Sequence, residues 1–424
     1  MINRTIAPAY KEINQINLIQ ATPRLLDNNI KLFVVNAGEQ ELVRIEFIFN
    51  NVNWDVNHPL QAFITNSLLI EGSRTMSSYQ ISERIDSYGA FIQAEYGFDH
   101  STFTLYTLSK HLDDVLPLVK EILTEATFPQ EELDTFVRNQ KQKLLISLEK
   151  NDVVTKRIFN NSLFGDSIYG YIVNAEDYDK VDRNQLVEYY KAAYQPNNCI
   201  IIASGKVDEV ITEKINSFFG NGWENTVQST KNVFSIPQKK GSLYYTEKPE
   251  ALQSAIRIGQ ISIPRNHADF PALQFLNTVL GGYFGSRLMA NIREEKGYTY
   301  GIGSGLVSLQ NVGYFLIASE VGAEVCTLTL EEIEKEVNLL RTEPIPEEEI
   351  ELVKNYMLGS FMGSLENAFS HADKFKSIYL AGLDYAYYTR YVQTIKHINA
   401  QQLLELANKY LDYNSFNIVI TGKK

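Results

Sequence analysis

Two hydrophobic periods, one of strands and one of helices, alternate along the chain, and they do so in the same order twice. Strand-like apolar runs at 31–35 and 43–49 predict strands, helical spacing at 60–70 and 78–88 predicts helices, and 90–106 reads as a pair of strands. Helical spacing returns at 112–126 and at 130–150, and this half closes with a helix at 184–194, a strand at 199–204 and a helix at 208–219. From 254 onward the order recurs, with strands at 254–263, 313–319 and 416–421 and helices at 323–341, 346–364 and 401–410. Long helices with few parallel-crossover signals predict an α+β fold of two tandem homologous domains, each a mostly antiparallel sheet covered by helices.

Two anchors support the duplication. Phe128-Pro129-Gln130-Glu131-Glu132-Leu133 has the same grammar as Ile345-Pro346-Glu347-Glu348-Glu349-Ile350: a Pro opens an acidic first turn, where its missing N–H is no loss and carboxylates suit the helix dipole. The apolar run ending at Ser204-Gly205-Lys206 likewise matches the one ending at Thr421-Gly422-Lys423. Both pairs are 217 positions apart (346 − 129 and 422 − 205), far longer than a solenoid repeat. The expected division is a domain at 1–225, a linker at 226–240 where Pro, Lys and Gly interrupt both periods, and a domain at 241–424.

Composition narrows the function classes. At 424 residues and 44% hydrophobic, the chain can bury more than one core. Its 51 acidic against 39 basic side chains give a net charge of −12, and no Lys/Arg-rich run that would grip phosphates stands out, so nucleic acid is not expected as a partner. The two cysteines, Cys199 and Cys326, make no disulfide framework. The first twelve residues lack an apolar targeting core, and no apolar stretch reaches the ~18 residues of a membrane span. A soluble cytoplasmic protein is expected, with the periplasm left open.

The most specific string is Leu280-Gly281-Gly282-Tyr283-Phe284-Gly285-Ser286-Arg287-Leu288, followed by Arg293-Glu294-Glu295-Lys296-Gly297-Tyr298-Thr299-Tyr300. It closely resembles the C-terminal-half motif of the pitrilysin/insulinase family of zinc metallopeptidases, where a helix, a Gly loop, a Ser-Arg-Leu run and an Arg-Glu-x-x-Gly-x-x-Tyr stretch follow in that order. The resemblance extends over essentially the whole chain, to the family's small two-domain members of the mitochondrial processing peptidase type. It implies a pair of chains whose four domains enclose a peptide-sized chamber, with zinc held in one chain by His-x-x-Glu-His and a distal Glu.

Aligned on Glu71-Gly72-Ser73, the metal motif falls on Phe63, Ile64, Thr65, Asn66 and Ser67, and the distal ligand falls near Leu144. Neither histidine, nor the general base, nor the distal carboxylate is present; Asn66 cannot accept a proton near neutral pH. The six histidines are scattered, with no pair at helical ligand spacing. This chain is therefore expected to bind no cofactor, with zinc held by a homologous partner carrying His-x-x-Glu-His.

What the motif retains is the pair that the resemblance assigns to substrate backbone and oxyanion, Arg293 and Tyr300, a permanently charged fork and a phenolic donor suited to a carbonyl oxygen gaining charge. Gly297 is expected to end the helix of Arg293 and put Tyr300 on the next strand. Gly281, Gly282 and Gly285 read first as a helix cap and turn with positive φ, and second as a pliable, substrate-contacting wall of the chamber. The favoured function is the non-catalytic subunit of a heterodimeric endopeptidase acting on peptides or unfolded polypeptides, inactive alone. A structural or peptide-holding homologue is the alternative, and a peptidase with an unrelated site the third reading.

Overall fold

In the computed structural model, residues 16–225, 227–235 and 241–423 are described. The first half runs β1 (Thr22–Leu25), β2 (Lys31–Asn36), β3 (Leu42–Asn50), α1 (Gln61–Ser67), α2 (Ser78–Ser87), β4 (Phe91–Tyr96), β5 (His100–Leu108), α3 (Leu112–Thr124), α4 (Gln130–Ser147), α5 (Asn151–Phe164), α6 (Ala175–Asp179), α7 (Arg183–Ala193), β6 (Cys199–Gly205) and α8 (Glu209–Phe219). The second runs β7 (Leu243–Glu247), β8 (Gln253–Ser262), α9 (Phe270–Asn277), two wide π-type turns at Thr278–Gly282 and Met289–Glu295, β9 (Thr299–Ser308), β10 (Gly313–Gly322), α10 (Cys326–Thr342), α11 (Glu347–Gly363), α12 (Ala368–Tyr379), α13 (Ala386–His397), α14 (Ala400–Tyr410) and β11 (Asn417–Gly422).

The two halves share one topology. The first sheet has the order β1-β2-β6-β3-β5-β4 and the second β7-β11-β8-β10-β9. In each, one parallel pair (β2 with β6, β7 with β11) is followed by antiparallel neighbours only, so the second sheet reproduces the first without β1. Pro129 and Pro346 cap α4 and α11 with nearly the same backbone, φ −56° and −58°. Helical spacing drives the packing: Leu112, Val115, Leu116, Val119, Ile122 and Leu123 of α3 are all buried, each contributing about 1.5–3 kcal/mol over exposure.

Alternation in β3 sends Val43, Ile45, Phe47 and Phe49 into the first core, and Arg44, Glu46 and Ile48 to the other face. That second face is also covered, by a helix of the opposite half. Ala372 and Phe375 of α12 pack on Phe33, Val35, Ile48 and Ile202. Arg44 reaches Asp373 at 2.9 Å and Glu46 at 3.0 Å, and Lys376 reaches Glu46 at 2.6 Å. Reciprocally, α5 of the first half lies on β8 and β11. Its Phe159 and Leu163 cluster with Val419, and Asn417 donates to the Ser162 carbonyl at 3.1 Å. Each half thus covers the outer face of the other's sheet.

Of the expected linker at 226–240, residues 226 and 236–240 lie outside the described residues. The remainder runs along the first half: Lys231 bridges Val52, the Trp54 N–H donates to Asn232, and Phe234 packs edge-on against Tyr169. Among the described residues no helix is long and apolar enough to cross a membrane.

Candidate functional site

The segment aligned with the metal motif forms α1, but its side chains do other work. Phe63 lies between the rings of Tyr96 on β4 and Phe136 on α4, at 5.7 and 5.8 Å. Four residues on, Ser67 donates to the Phe63 carbonyl of its own helix at 2.8 Å. Asn66 is buried and accepts from the Tyr194 hydroxyl at 2.9 Å. Burial pushes that phenol well above its ordinary range, so it stays the donor. Leu144, on α4, packs against the first core.

Glu71-Gly72-Ser73 holds α1 against the turn into α4. A Cβ on Gly72 would come within 2.8 Å of the Pro129 ring, and Ser73 donates to Glu121 at 2.7 Å. Partial burial raises the Glu121 carboxyl, but hydrogen bonds from Thr75 and Ser73 outweigh it and hold the group below its ordinary value. Where the motif would have two histidines and a glutamate, the helix carries a phenyl ring packed on α4, a carboxamide bonded to Tyr194 and an alcohol bonded to its own backbone. The donor set does not fit zinc, and among the described residues no three His, Cys, Asp or Glu side chains gather as a metal site.

On the second half, sequence and packing cooperate to set Arg293 at the surface. Leu288 and Ile292 are fully buried, Arg287 makes a two-pronged bond to Glu349 of α11 at 2.9 and 2.8 Å, and Asn291 donates to Glu332 and Glu336 of α10. The wide turn ends at Glu295, Gly297 takes φ +67°, and the chain turns into β9. At the start of β9, Thr299 donates to the Glu320 carbonyl at 2.6 Å, where β10 is bulged between Ser319 and Val321. Tyr300 projects outward, 91% exposed.

The structure brings Arg293 and Tyr300 together: the guanidinium carbon lies 5.7 Å from the Tyr300 ring centre. It also lies 4.6 Å from the ring of Phe284, so the cation sits against two aromatic rings. Among the described residues its nearest carboxylate is Glu294 at 4.0 Å, too long for a hydrogen bond. The arrangement can do one thing well: offer N–H and O–H donors, side by side, to an acceptor arriving from outside. In the sequence Phe284 has no assigned part, because an aromatic in a Gly-rich loop carries no signal of what it will stack on.

The positive φ expected at Gly281, Gly282 and Gly285 is absent from all three, which corrects that reading. Close approach is the cause instead. A Cβ on Gly281 would lie 2.6 Å from the Ser304 backbone nitrogen of β9, and one on Gly285 would lie 2.8 Å from the Tyr283 ring. Gly281 is buried beneath β9, so its part is packing, whereas Gly282 is exposed.

Comparison with known proteins agrees with this architecture. The profile described as insulinase (peptidase family M16) matches residues 61–168, and that of the peptidase M16 inactive domain matches residues 180–357. The uncharacterized zinc protease YmxG of Bacillus subtilis is 24% identical over 305 residues, covering 71% of this chain and 73% of its own. A peptidase M16 inactive-domain structure from Pseudomonas fluorescens superposes with a TM-score of 0.86 at 21% identity, covering 95% of this chain and 98% of that one. A protease structure from Helicobacter pylori gives 0.87 at 17% identity, covering 96% and 100%. The two profiles together span more than half of the chain, in the order of its two halves, and the chain belongs to the M16 (insulinase) peptidase family.

Proposed function

We propose that this chain is the non-catalytic subunit of a two-chain zinc endopeptidase acting on peptides or unfolded polypeptides, and that it lends Arg293 and Tyr300 to the zinc site of a homologous partner carrying His-x-x-Glu-His. The observation that carries this reading is the pairing of an exposed Tyr300 with an Arg293 guanidinium that has no close carboxylate among the described residues, in a chain whose own metal positions hold Phe63, Asn66, Ser67 and Leu144. The partner supplies the metal and the attacking water. This chain's share is electrostatic. Arg293 N–H and Tyr300 O–H donate to the scissile carbonyl oxygen, and both bonds strengthen as that oxygen takes on charge, which is the condition for lowering a barrier rather than merely binding substrate.

The test begins with the isolated chain and the chain that copurifies with it. Alone, this protein is expected to retain no zinc and to leave unfolded peptides intact; the reconstituted pair is expected to cleave them. Arg293→Ala and Tyr300→Phe are each expected to lower kcat by about 10²-fold, with folding unchanged. Undiminished cleavage by both variants would remove the assigned role. A stable homodimer without a His-x-x-Glu-His partner would favour the structural, peptide-holding reading, and zinc or cleavage in the isolated chain would favour a self-sufficient enzyme.

A further inference from the structure

Phe284 is an exposed phenyl ring in a loop that folds its neighbour inward. Tyr283 has extended backbone, φ −152° and ψ 172°, so the side chains of successive residues leave on opposite sides. Tyr283 turns in and packs on Tyr356 of α11 at 4.8 Å, with Gly285 leaving room for its ring. Phe284 turns out, stays 62% exposed, and lies over Arg293 at 4.6 Å, closer than Tyr300 at 5.7 Å. Among the described residues no carboxylate takes a close bond to that guanidinium, so ring contacts are what orient it.

Building on the function proposed above, we infer that Phe284 is a positioning residue for Arg293: its ring holds the guanidinium face while the N–H edge stays free for a carbonyl oxygen. An Arg on a flexible stem otherwise samples many rotamers, and a donor misplaced by an ångström loses much of its effect. Holding it by a π face uses no hydrogen-bond donor, whereas a carboxylate partner would compete with substrate for them.

The experiment uses the reconstituted pair. Phe284→Ala is expected to lower kcat about three- to fivefold at unchanged KM, the size of an exposed cation–π contact. Phe284→Tyr, which keeps the ring, is expected to restore kcat, and Phe284→Leu, which keeps only apolar bulk, is not. In an Arg293→Ala background the Phe284 substitutions are expected to add nothing. Rescue by Leu, a change confined to KM, or an undiminished Phe284→Ala effect without Arg293 would each overturn the inference. In the isolated chain, phenylglyoxal labelling of Arg293, read by peptide mass mapping, is expected to accelerate in Phe284→Ala, and an unchanged rate counts against the stack. If Arg293→Ala alone leaves turnover intact, the subunit reading fails, while the labelling still tests the contact.

Discussion

Asn66 shows how far a single position has moved from metal chemistry. Its carboxamide is part of the interior, bonded to Tyr194, and the phenyl ring of Phe63 one turn earlier packs between two others. Reinstating the motif letters by Phe63→His, Asn66→Glu and Ser67→His would therefore bury an ionisable group without enough partners and remove aromatic packing. Denaturant unfolding is expected to show a loss of about 3 kcal/mol or more. Metal analysis is expected to find no stoichiometric zinc, because Leu144 supplies no distal carboxylate. Asp177, buried at the cap of α6, makes a second residue-level case. Burial raises its carboxyl, but the Asn174 N–H, Lys180 and the Tyr171 hydroxyl outweigh this and depress it below the ordinary value. A depressed carboxylate contributes stability above its unfolded pKa and loses it as pH falls through the folded one. Asp177→Asn is thus expected to cost about 1–3 kcal/mol near neutrality, and the gap to the parent should close on acidification. Other residue-level features had no sequence signal. Phe128 stands at φ +50°, rare for a bulky side chain, and its carbonyl accepts from Arg183, fifty-five positions away.

Elements were legible where one face is apolar and the spacing is regular. Helices α2, α3, α7 and α8 begin and end within two residues of the expected bounds, because a single core selects their buried positions. The exchanged helices were not: α5 buries Thr155 and Ser162 beside Phe159, and α12 buries His371 beside Ala368 and Ala372, so polar and small residues blur the apolar stripe. In β3 the alternation of Arg44 and Glu46 with apolar neighbours suggests one face in water, yet both are buried. Edge strand β9 is expected only as the strand after Gly297 that carries Tyr300; its course through Gly301, Gly303 and Gly305, poor strand formers, comes from pairing with β10 rather than from propensity. The Arg293 motif was legible as a string, but the stack on Phe284 required the turn geometry. A third tie between halves gives an element-level prediction. The Ile19 N–H donates to Nδ1 of buried His371 on α12 at 3.3 Å, which needs that nitrogen unprotonated. Burial lowers the His371 pKa. Stability from this group is therefore complete above the ordinary histidine value of about 6.5 and declines as pH falls below it. Hydrogen exchange at the Ile19 amide is expected to speed up on acidification relative to its intrinsic rate, and to become pH-independent by the same measure in His371→Gln.

At the scale of the molecule, exchange of α5 and α12 makes the two halves one folding unit despite their shared topology. A first half expressed alone would leave Phe33, Val35, Ile48 and Ile202 without α12, and would leave Arg44 and Glu46 as a charged pair on a bared sheet face. A second half alone would lose Phe159 and Leu163 from over Val419. Separately produced halves are accordingly expected to bind a hydrophobic dye and lack a cooperative melt, and mixing them should abolish the dye binding and restore the melt; independent cooperative melting would contradict the interlock. The ion network tests the same join with one substitution. Arg44→Met removes the cation that faces Glu46 and Asp373, leaving Glu46 buried with Lys376 alone, at an expected cost of about 3–5 kcal/mol. Adding Glu46→Leu is expected to recover much of that loss, because Lys376 already lies 3.6 Å from Asp373 on the half-exposed side of α12 and can pair there. The double variant should then unfold in one transition close to the parent's, showing that the contact between halves needs a filled, satisfied interface rather than those particular charges.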